Sequence, residues 1–267
     1  MFEKLKSRKP KVTFQNFLCR VPASDYIFQK TPYDEQIQSA AKAIQHADQI
    51  FIGAGAGLSA AAGLTYSGER FQRNFAEFID KYGMTDMYSA GFYPFPSEEA
   101  RWGYWSKHVY VNRIALPALP LYRQLKEIVK DKEYFVLTTN TDHQFYKADF
   151  GSEHIFAAQG DYGRIQCMRG CHPRTYDDVE MMKQMNAARK DCLIPSHMVP
   201  KCPVCGGPMA MNLRCDDSFV EDEQWHEAEK RFGSFVEQCK SGKTVLWNSA
   251  KAVRQFFWSW ALGLIRR

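Results

Sequence analysis

The sequence predicts an α/β fold, in which a Rossmann-like parallel sheet forms a large domain that carries an inserted helical segment and a small cysteine-bearing module. Short apolar runs alternate with stretches of helical periodicity on both sides of a cysteine-rich region. A glycine-rich turn follows the first strong apolar run, and polar residues end the later runs. Such alternation is typical of parallel sheets whose strands are connected through helices.

The individual elements follow from the same patterns. Apolar runs predict strands at 50–52, 134–140, 154–159 and 243–246. Apolar residues at helical spacing predict helices over 31–47, 121–129 and 177–190. The stretch 66–113 is aromatic-rich and irregular, which indicates an inserted helical module.

These elements divide the chain into parts of different character. We expect an N-terminal extension at 1–30, a large domain formed by 31–163 and 217–246 with its insert at 66–113, a cysteine-bearing module at 164–216, and an atypical tail at 247–267.

The composition excludes several classes of function. The 267 residues are 45% hydrophobic, so neither a collagen-like nor a disordered chain is expected. The formal charge is +5, but four basic residues lie in the tail and the rest of the chain is nearly neutral, which argues against nucleic-acid binding. Neither a long apolar run nor an apolar stretch after the basic N-terminus is present, so we expect no spanning helix, no secretory signal and a cytoplasmic location.

Four of the eight cysteines form two tight pairs. Cys167 and Cys171 make one pair, and Cys202 and Cys205 make the other, within a Pro- and Gly-containing turn. In a reducing compartment, four thiolates at such spacing suit a tetrahedral structural zinc. The first pair is loosely spaced, so Cys215, His172 or Cys192 could replace one ligand. The alternative is a set of unrelated buried cysteines. Cys19 and Cys239 have no partner pattern, and we expect them to be ordinary buried or surface thiols.

The glycine-rich turn lies between the first strand and a helix of small residues. Its glycines are Gly53, Gly55, Gly57 and Gly63. Glycines at a strand-to-helix junction allow positive φ and close approach of a pyrophosphate, whose charge the helix N-terminus favours. The alternative is a tight turn without a ligand.

A polar segment, Thr138-Thr139-Asn140-Thr141-Asp142, ends the second predicted strand. Ligands of open α/β sheets bind at this end of the strands. The Asn140 carboxamide could hold a ribose hydroxyl or order a water, and Asp142 could accept from an amide. The alternative is a capping turn, because Asn and Asp also favour caps.

Together these motifs resemble the sirtuins, which are NAD-dependent deacylases and ADP-ribosyltransferases. Gly55-Ala56-Gly57-Leu58-Ser59 followed by Gly63-Leu64 resembles their GAG-x-S…G-I cofactor loop, and Thr138 to Asp142 resembles their T-Q-N-I-D. Gln159-Gly160 stands where they have a catalytic His-Gly, and the cysteine pairs resemble their zinc ribbon. The likeness runs from about residue 32 to about residue 246.

The departures indicate a particular branch of that family. The loop reads Thr65 to Phe71, TYSGERF, instead of the usual P-D-F-R, and Gln159 replaces the catalytic His. These features resemble the macrodomain-linked (class M) sirtuins, which are protein mono-ADP-ribosyltransferases. The resemblance implies a lipoylated glycine-cleavage-H-like carrier protein as the substrate, a macrodomain hydrolase as the functional partner, and release of nicotinamide.

The resemblance also implies roles for individual residues. Asn140, Asp142 and Gln159 would be catalytic and surround the nicotinamide ribose. The other NAD-binding residues would be Gly55, Ala56, Gly57 and Ser59 at the phosphates, Tyr66 and Arg70 in the cofactor loop, and Thr138 and Thr139. Asp216, Asp217 and Glu221 would lie near the substrate-binding strand or in a solvated loop.

A carboxamide at 159 changes the expected reaction. An imidazole can take a proton near neutral pH, whereas a carboxamide cannot. We therefore expect ADP-ribosyl transfer rather than lysine deacylation, which is the alternative within enzymes.

The tail departs from the family. Where sirtuins have a G-x-G-x-N-T-P-like ribose loop, this chain reads WNSAKAVRQFFWSWALGLIRR. We expect a reading-frame shift, and the alternatives are an interfacial membrane helix or a substitute packing helix. A lost ribose loop would weaken NAD binding, so a silent fold that binds NAD or the carrier without turnover is a third functional reading.

Overall fold

The structure, a computed structural model, describes residues 32–248, and the chain divides after His46 into two units that are considered separately. In the first unit, helix α1 spans Tyr33–Gln45. Asp34 and Glu35 lie in its first turn and Lys42 in its last, where their charges complement the helix dipole. The predicted extension at 1–30 lies outside the described residues.

The second unit contains helices and strands in alternation, and it adds three strands, at 160–167, 175–177 and 209–213, that the sequence patterns did not predict. Its helices are α2 (Ala56–Ala61), α3 (Glu69–Tyr82), α4 (Met87–Ala90), α5 (Glu98–Val109), α6 (Pro120–Val129), α7 (Gln144–Lys147), α8 (Val179–Ala188) and α9 (Glu223–Gln238). Its strands are β1 (Gln49–Ala54), β2 (Glu133–Thr138), β3 (Ile155–Ala157), β4 (Gly160–Cys167), β5 (Thr175–Asp177), β6 (Met209–Leu213) and β7 (Thr244–Asn248).

The first sheet is parallel, with strand order β3-β2-β1-β7. The strands predicted at 50–52, 134–140, 154–159 and 243–246 are confirmed as its members. Strands β1 and β2 are buried along nearly their whole length, which explains why they appear in the sequence as continuous apolar runs.

Helix α9 covers one face of this sheet. Phe232 and Phe235 pack against Phe51 and Phe135, with ring centroids 5.5 to 6.4 Å apart. Burying each such ring stabilises the fold by roughly 1.5–3 kcal/mol. This layer holds the strands, and therefore the loops at their carboxyl ends, in a fixed arrangement.

The inserted segment is helical, as predicted. Helices α3, α4 and α5 enclose an aromatic core that includes Phe71, Phe75, Phe78 and Tyr104. A single π turn at Tyr110–Ile114 extends α5 towards the sheet.

The second sheet is antiparallel, with order β5-β4-β6. Helices α5 and α8 cover it, and its core contains Met182, Met185, Met209 and Met211 together with Trp102. The predicted helix over 177–190 is confirmed as α8.

Backbone hydrogen bonds join the loops that follow β1, β2 and β3. Thr139 N–H donates to Ala54 O at 3.0 Å, and Ala158 N–H donates to Thr138 O at 3.0 Å. Tyr162 N–H in β4 donates to Thr141 O at 3.0 Å. The carboxyl ends of three parallel strands therefore meet the start of the antiparallel sheet.

Strand β7 pairs with β1, and Trp247 lies opposite Ile52. Trp247 and Asn248, which the sequence assigned to the tail, extend this strand. Residues 249–267 lie outside the described residues, so the reading-frame shift stays a prediction. Within residues 32–248 none of the helices combines the length and apolarity needed to cross a bilayer.

Candidate functional site

A buried polar network lies at the carboxyl end of the parallel sheet. Ser59 Oγ, in α2, donates to Asp142 Oδ2 at 2.5 Å, and Gln144 N–H donates to Asp142 Oδ1 at 3.1 Å. Ser59 Oγ also lies 3.0 Å from the Tyr122 hydroxyl of α6. The sequence placed Ser59 and Asp142 in one site, and the structure brings them into direct contact.

Burial sets the electrostatics of this network. Desolvation raises the pKa of Asp142, although hydrogen bonds from Ser59 and Gln144 oppose that shift. Desolvation also raises the pKa of Tyr122, and the nearby Asp142 carboxyl adds to the effect. The pair therefore favours a neutral Tyr122 that keeps its proton as a hydrogen-bond donor.

Asn140 is half-buried and joins this network through Tyr122. Its backbone N–H donates to Thr138 Oγ1 at 3.0 Å, and Nδ2 donates to the Tyr122 hydroxyl at 3.4 Å. Thr138 is buried, whereas Thr139 and Asn140 are half-buried. The predicted polar strand end therefore presents the Asn140 carboxamide from a fixed backbone.

Gln159 follows β3 and is held by its backbone. Its carbonyl accepts from Arg214 N–H at 3.1 Å. The next residue, Gly160, has φ 90°, and a Cβ there would lie 2.0 Å from Asn212 O. Because only glycine fits this close approach, the backbone of Gln159 is anchored at the junction of the two sheets.

The glycine-rich loop leads directly into α2. Gly55 is extended at φ −146° and ψ −172°, and among the four loop glycines Gly63 has positive φ. Ala56 is exposed and Gly57 half-buried in the first turn of α2. The backbone N–H groups of a first helical turn have no partner within the helix, and an anion can accept from them.

Tyr66 and Arg70 anchor the segment after this loop. The Tyr66 hydroxyl lies 2.7 Å from the Tyr162 hydroxyl of β4. Arg70 Nη1 donates to Thr65 O at 3.0 Å, and its Nη2 donates to Val111 O at 3.2 Å. Tyr66 therefore ties the inserted segment to β4, whereas Arg70 ties the start of that segment to its end.

Sequence reasoning missed two groups at this site. Tyr122 bridges Ser59 and Asn140, but in the sequence it is one aromatic residue within a helix. His143 contacts Asp161 through Nδ1 at 2.5 Å. The sequence did hold a clue to this contact, because His143 directly follows Asp142 and Asp161 directly follows Gln159-Gly160, and both motifs are predicted site segments.

The four cysteines predicted as zinc ligands lie together. Their Sγ atoms are all within 4.8 Å of one another. The Cys167–Cys205 and Cys171–Cys202 separations are 3.7 and 3.6 Å. Zn–S bonds of about 2.3 Å in a tetrahedron place the sulfur atoms about 3.8 Å apart. The cluster therefore fits zinc in a closed, structural site.

The three alternative ligands differ in their positions. His172 Nδ1 lies 3.0 Å from Cys171 Sγ, while its Nε2 lies 2.9 Å from the Tyr176 hydroxyl. The Cys192 thiol faces Glu77 O at 3.4 Å, and within the described residues Cys215 is not part of the cluster. The described metal-binding group is therefore the four-cysteine set.

The acidic residues after β6 adopt separate local contacts. Asp216 is exposed and accepts from Ser218 N–H at 2.8 Å, and hydrogen bonds from Ser218 lower its pKa. Glu221 pairs with Arg214 at 2.5 Å. Asp217 is exposed.

The fold of this chain aligns with solved Sir2 structures. It aligns with a Sir2 homologue in complex with NAD at a TM-score of 0.52 and 14% identity, covering 88% of this chain and 79% of that one. A triple mutant of Sir2 homologues in complex with 2′-O-acetyl ADP ribose aligns at 0.53 and 14%, covering 86% and 80%. These likenesses establish the class of fold.

Sequence relatives define the branch within that class. The chain is 39% identical over 218 residues to a protein ADP-ribosyltransferase of Staphylococcus aureus, covering 81% of this chain and 68% of the relative. No protein-family model matches the chain. The chain belongs to the sirtuin-type protein ADP-ribosyltransferases.

A fungal relative is longer. The chain is 35% identical over 186 residues to a "probable bifunctional ADP-ribose hydrolase/ADP-ribosyltransferase" of Fusarium oxysporum f. sp. cubense. The alignment covers 66% of this chain and 30% of the fungal protein.

Proposed function

We propose that this protein transfers single ADP-ribosyl groups from NAD to a lipoylated carrier protein and releases nicotinamide. The observation that carries this proposal is Gln159, a carboxamide at the sheet edge where the family's deacylases have a catalytic imidazole. The similarity to a bacterial protein ADP-ribosyltransferase supports the same reaction class. The carrier assignment rests on the resemblance to macrodomain-linked sirtuins.

The donor set at the sheet edge suits NAD. The first turn of α2, with Gly55, Ala56 and Gly57, offers backbone N–H groups to the phosphates. The half-buried Asn140 would orient the nicotinamide ribose, and Asp142 would accept from the nicotinamide amide. Tyr66 and Arg70 would hold the loop that covers the cofactor.

The missing imidazole favours transfer over deacylation. In sirtuin deacylation the catalytic His deprotonates a ribose hydroxyl, which a carboxamide cannot do. Cleavage of the nicotinamide bond depends on positioning and on stabilising positive charge at C1′. Gln159, with Asn140 and Asp142, can still supply these effects through oriented oxygen atoms.

A hydrolase that removes the modification is the expected functional partner. The fungal relative is named for both an ADP-ribose hydrolase and a transferase activity, which supports pairing of the two reactions. A cytoplasmic location, where cysteines stay reduced, suits the zinc cluster.

Labelled NAD separates the candidate functions. Incubation with adenylate-labelled NAD and a lipoylated carrier is expected to label the carrier in a one-to-one ratio with nicotinamide released. Label in O-acyl-ADP-ribose would instead identify a deacylase. Calorimetric binding of NAD without any product would identify the silent fold that the altered tail raises as an alternative.

A further inference from the structure

His143, Asp161 and Arg113 form a charged cluster beside the proposed NAD site. His143 Nδ1 lies 2.5 Å from Asp161 Oδ2, and Arg113 Nε lies 2.6 Å from Asp161 Oδ1. Gly163 N–H donates to the same Oδ1 at 2.6 Å. Both oxygens of this carboxylate are therefore engaged, one by the imidazole and one by the guanidinium.

The charge of Asp161 determines which imidazole nitrogen carries the proton. Burial raises the pKa of this carboxyl, but the His143 hydrogen bond and the Arg113 charge outweigh burial, so the pKa is lowered. Arg113 Nη2 also lies 3.3 Å from His143 Nδ1. The ionised Asp161 carboxylate only accepts, and at 2.5 Å it is the nearer partner, so we assign the proton to Nδ1, which donates to Asp161. The neutral imidazole then has Nε2 as a free acceptor, which is the arrangement of a general base oriented by an acid.

The imidazole reaches outwards from this contact. The Asp161 side chain is 14% exposed and the His143 side chain 30% exposed. The imidazole is therefore more accessible to a reacting group than the carboxylate that orients it. The ring stacks on Tyr146 with centroids 4.4 Å apart, which fixes its plane.

The cluster lies where the two proposed catalytic segments meet. His143 directly follows Asp142, and Asp161 lies two residues after Gln159. The hydrogen bond from Tyr162 N–H to Thr141 O joins the same two segments. Position 159 therefore has no imidazole, but His143, sixteen residues earlier in the chain, places one on the neighbouring loop.

We propose that His143 is the general base of the transfer step and that Asp161 is its positioning residue. The C1′–N bond of NAD breaks, and nicotinamide leaves with the bonding electron pair. The acceptor nucleophile, or water in hydrolysis, forms the new bond to C1′ and gives its proton to His143 Nε2. This inference rests on the proposed function.

The test separates bond cleavage from proton removal. Exchange of labelled nicotinamide into NAD requires the glycosidic bond to break and re-form, but no nucleophile loses a proton. Net NAD consumption, by transfer or by hydrolysis, requires a base. His143→Asn is the chosen variant because His143 has φ 65°, a conformation that Asn tolerates well.

We expect His143→Asn to lower net NAD consumption on the order of 10²-fold or more, while nicotinamide exchange changes less than about threefold. Asp161→Asn should also lower net consumption. The matched control is His154→Asn, a histidine of similar side-chain exposure, 33%, whose Nδ1 contacts Tyr134 O. This control should retain both reactions.

A spectroscopic readout tests the positioning independently of turnover. The proton between His143 and Asp161 should give a downfield imidazole resonance that is lost in His143→Asn and in Asp161→Asn and kept in His154→Asn. Unchanged net consumption in His143→Asn, an equal fall in exchange, or a wild-type spectrum without that resonance would overturn the inference. If the wild-type protein consumes NAD but the carrier stays unlabelled, only the carrier assignment is overturned. The role of His143 is then tested by comparing the rates of NAD hydrolysis in the wild type and in His143→Asn.

Discussion

The cores beside the two sheets of this protein are filled by different kinds of side chain. The parallel sheet is held by apolar contacts, with Phe51 and Phe135 packed against the aromatic face of α9. The antiparallel sheet has a methionine-rich core, and the two buried cysteines of the metal cluster, Cys167 and Cys202, belong to that core. Methionine adapts to irregular gaps but specifies geometry poorly.

This difference indicates which interactions fix the geometry of each sheet. The parallel sheet orients the loops at its carboxyl edge, where we propose that NAD binds, through backbone pairing, aromatic packing and a buried hydrogen-bond network. We expect the smaller sheet to depend on zinc bound by the four cysteines, since a few short strands bury little surface.

Removing one zinc ligand should have the largest effect. In Cys202→Ser the zinc content is expected to fall from about one ion per chain to near zero, because a structural site needs all four ligands. Structural zinc contributes about 10–16 kcal/mol of binding free energy in small zinc modules. Metal analysis and limited proteolysis of residues 164–216 measure the loss. Cys239→Ser, which changes a buried thiol outside the cluster, should keep its zinc.

Asn140→Ala should lower the catalytic activity and leave the four-cysteine module intact. Loss of one oriented polar group is expected to lower both nicotinamide exchange and ADP-ribosyl transfer by about 10²–10³-fold. Zinc content should stay unchanged, which separates the two regions. Full activity in this variant would contradict the role proposed for Asn140.

Gly160→Ala tests the junction between the two sheets. The added Cβ would meet Asn212 O at 2.0 Å in a residue with φ 90°. We expect the free energy of unfolding to fall by about 3 kcal/mol, because overpacking and left-handed backbone strain act together. Gly83→Ala is the matched control, since Gly83 has φ 66° with nothing within 4 Å of its Cβ, and about 1 kcal/mol is expected there. Equal losses in urea unfolding would show that the close approach is not costly.

Asp178, which directly follows β5 of the smaller sheet, should make the free energy of unfolding depend on pH. Both of its carboxyl oxygens are buried without a partner within the described residues, and burial raises its pKa to about 8. Folding therefore disfavours its ionised form. The stability that the protonated form provides is complete below the unfolded pKa and is lost as pH rises towards 8.

Asp178→Asn should remove this penalty. We expect the variant to gain about 2 kcal/mol over the wild type at pH 8 and little at pH 4, measured by urea unfolding. Asp216→Asn is the control, because Asp216 is exposed and its pKa is lowered. A gain that does not grow with pH would contradict the assigned burial penalty.

Much of the candidate site could be proposed from the sequence because its residues fall in three short consecutive segments. Gly55 to Ser59, Thr138 to Asp142, and Gln159-Gly160 each follow a strand, and parallel strands bring their carboxyl ends to one edge. Tyr122 could not be predicted, since it reaches Ser59 across 63 positions through the packing of α6. The Asp161 partner of His143 depends likewise on the meeting of two sheets.

Sequence patterns alone predict the four strands of the parallel sheet, the glycine-rich loop, the four paired thiols and the absence of an imidazole at position 159. These features are local, because apolar periodicity and residue spacing act over a few positions. The tertiary structure alone decided that Ser59 bonds Asp142, that Gly160 must lack a side chain, and that His143 gains a carboxylate partner. Such contacts arise only when distant segments pack, and no short-range pattern records which side chains will then lie within hydrogen-bond distance.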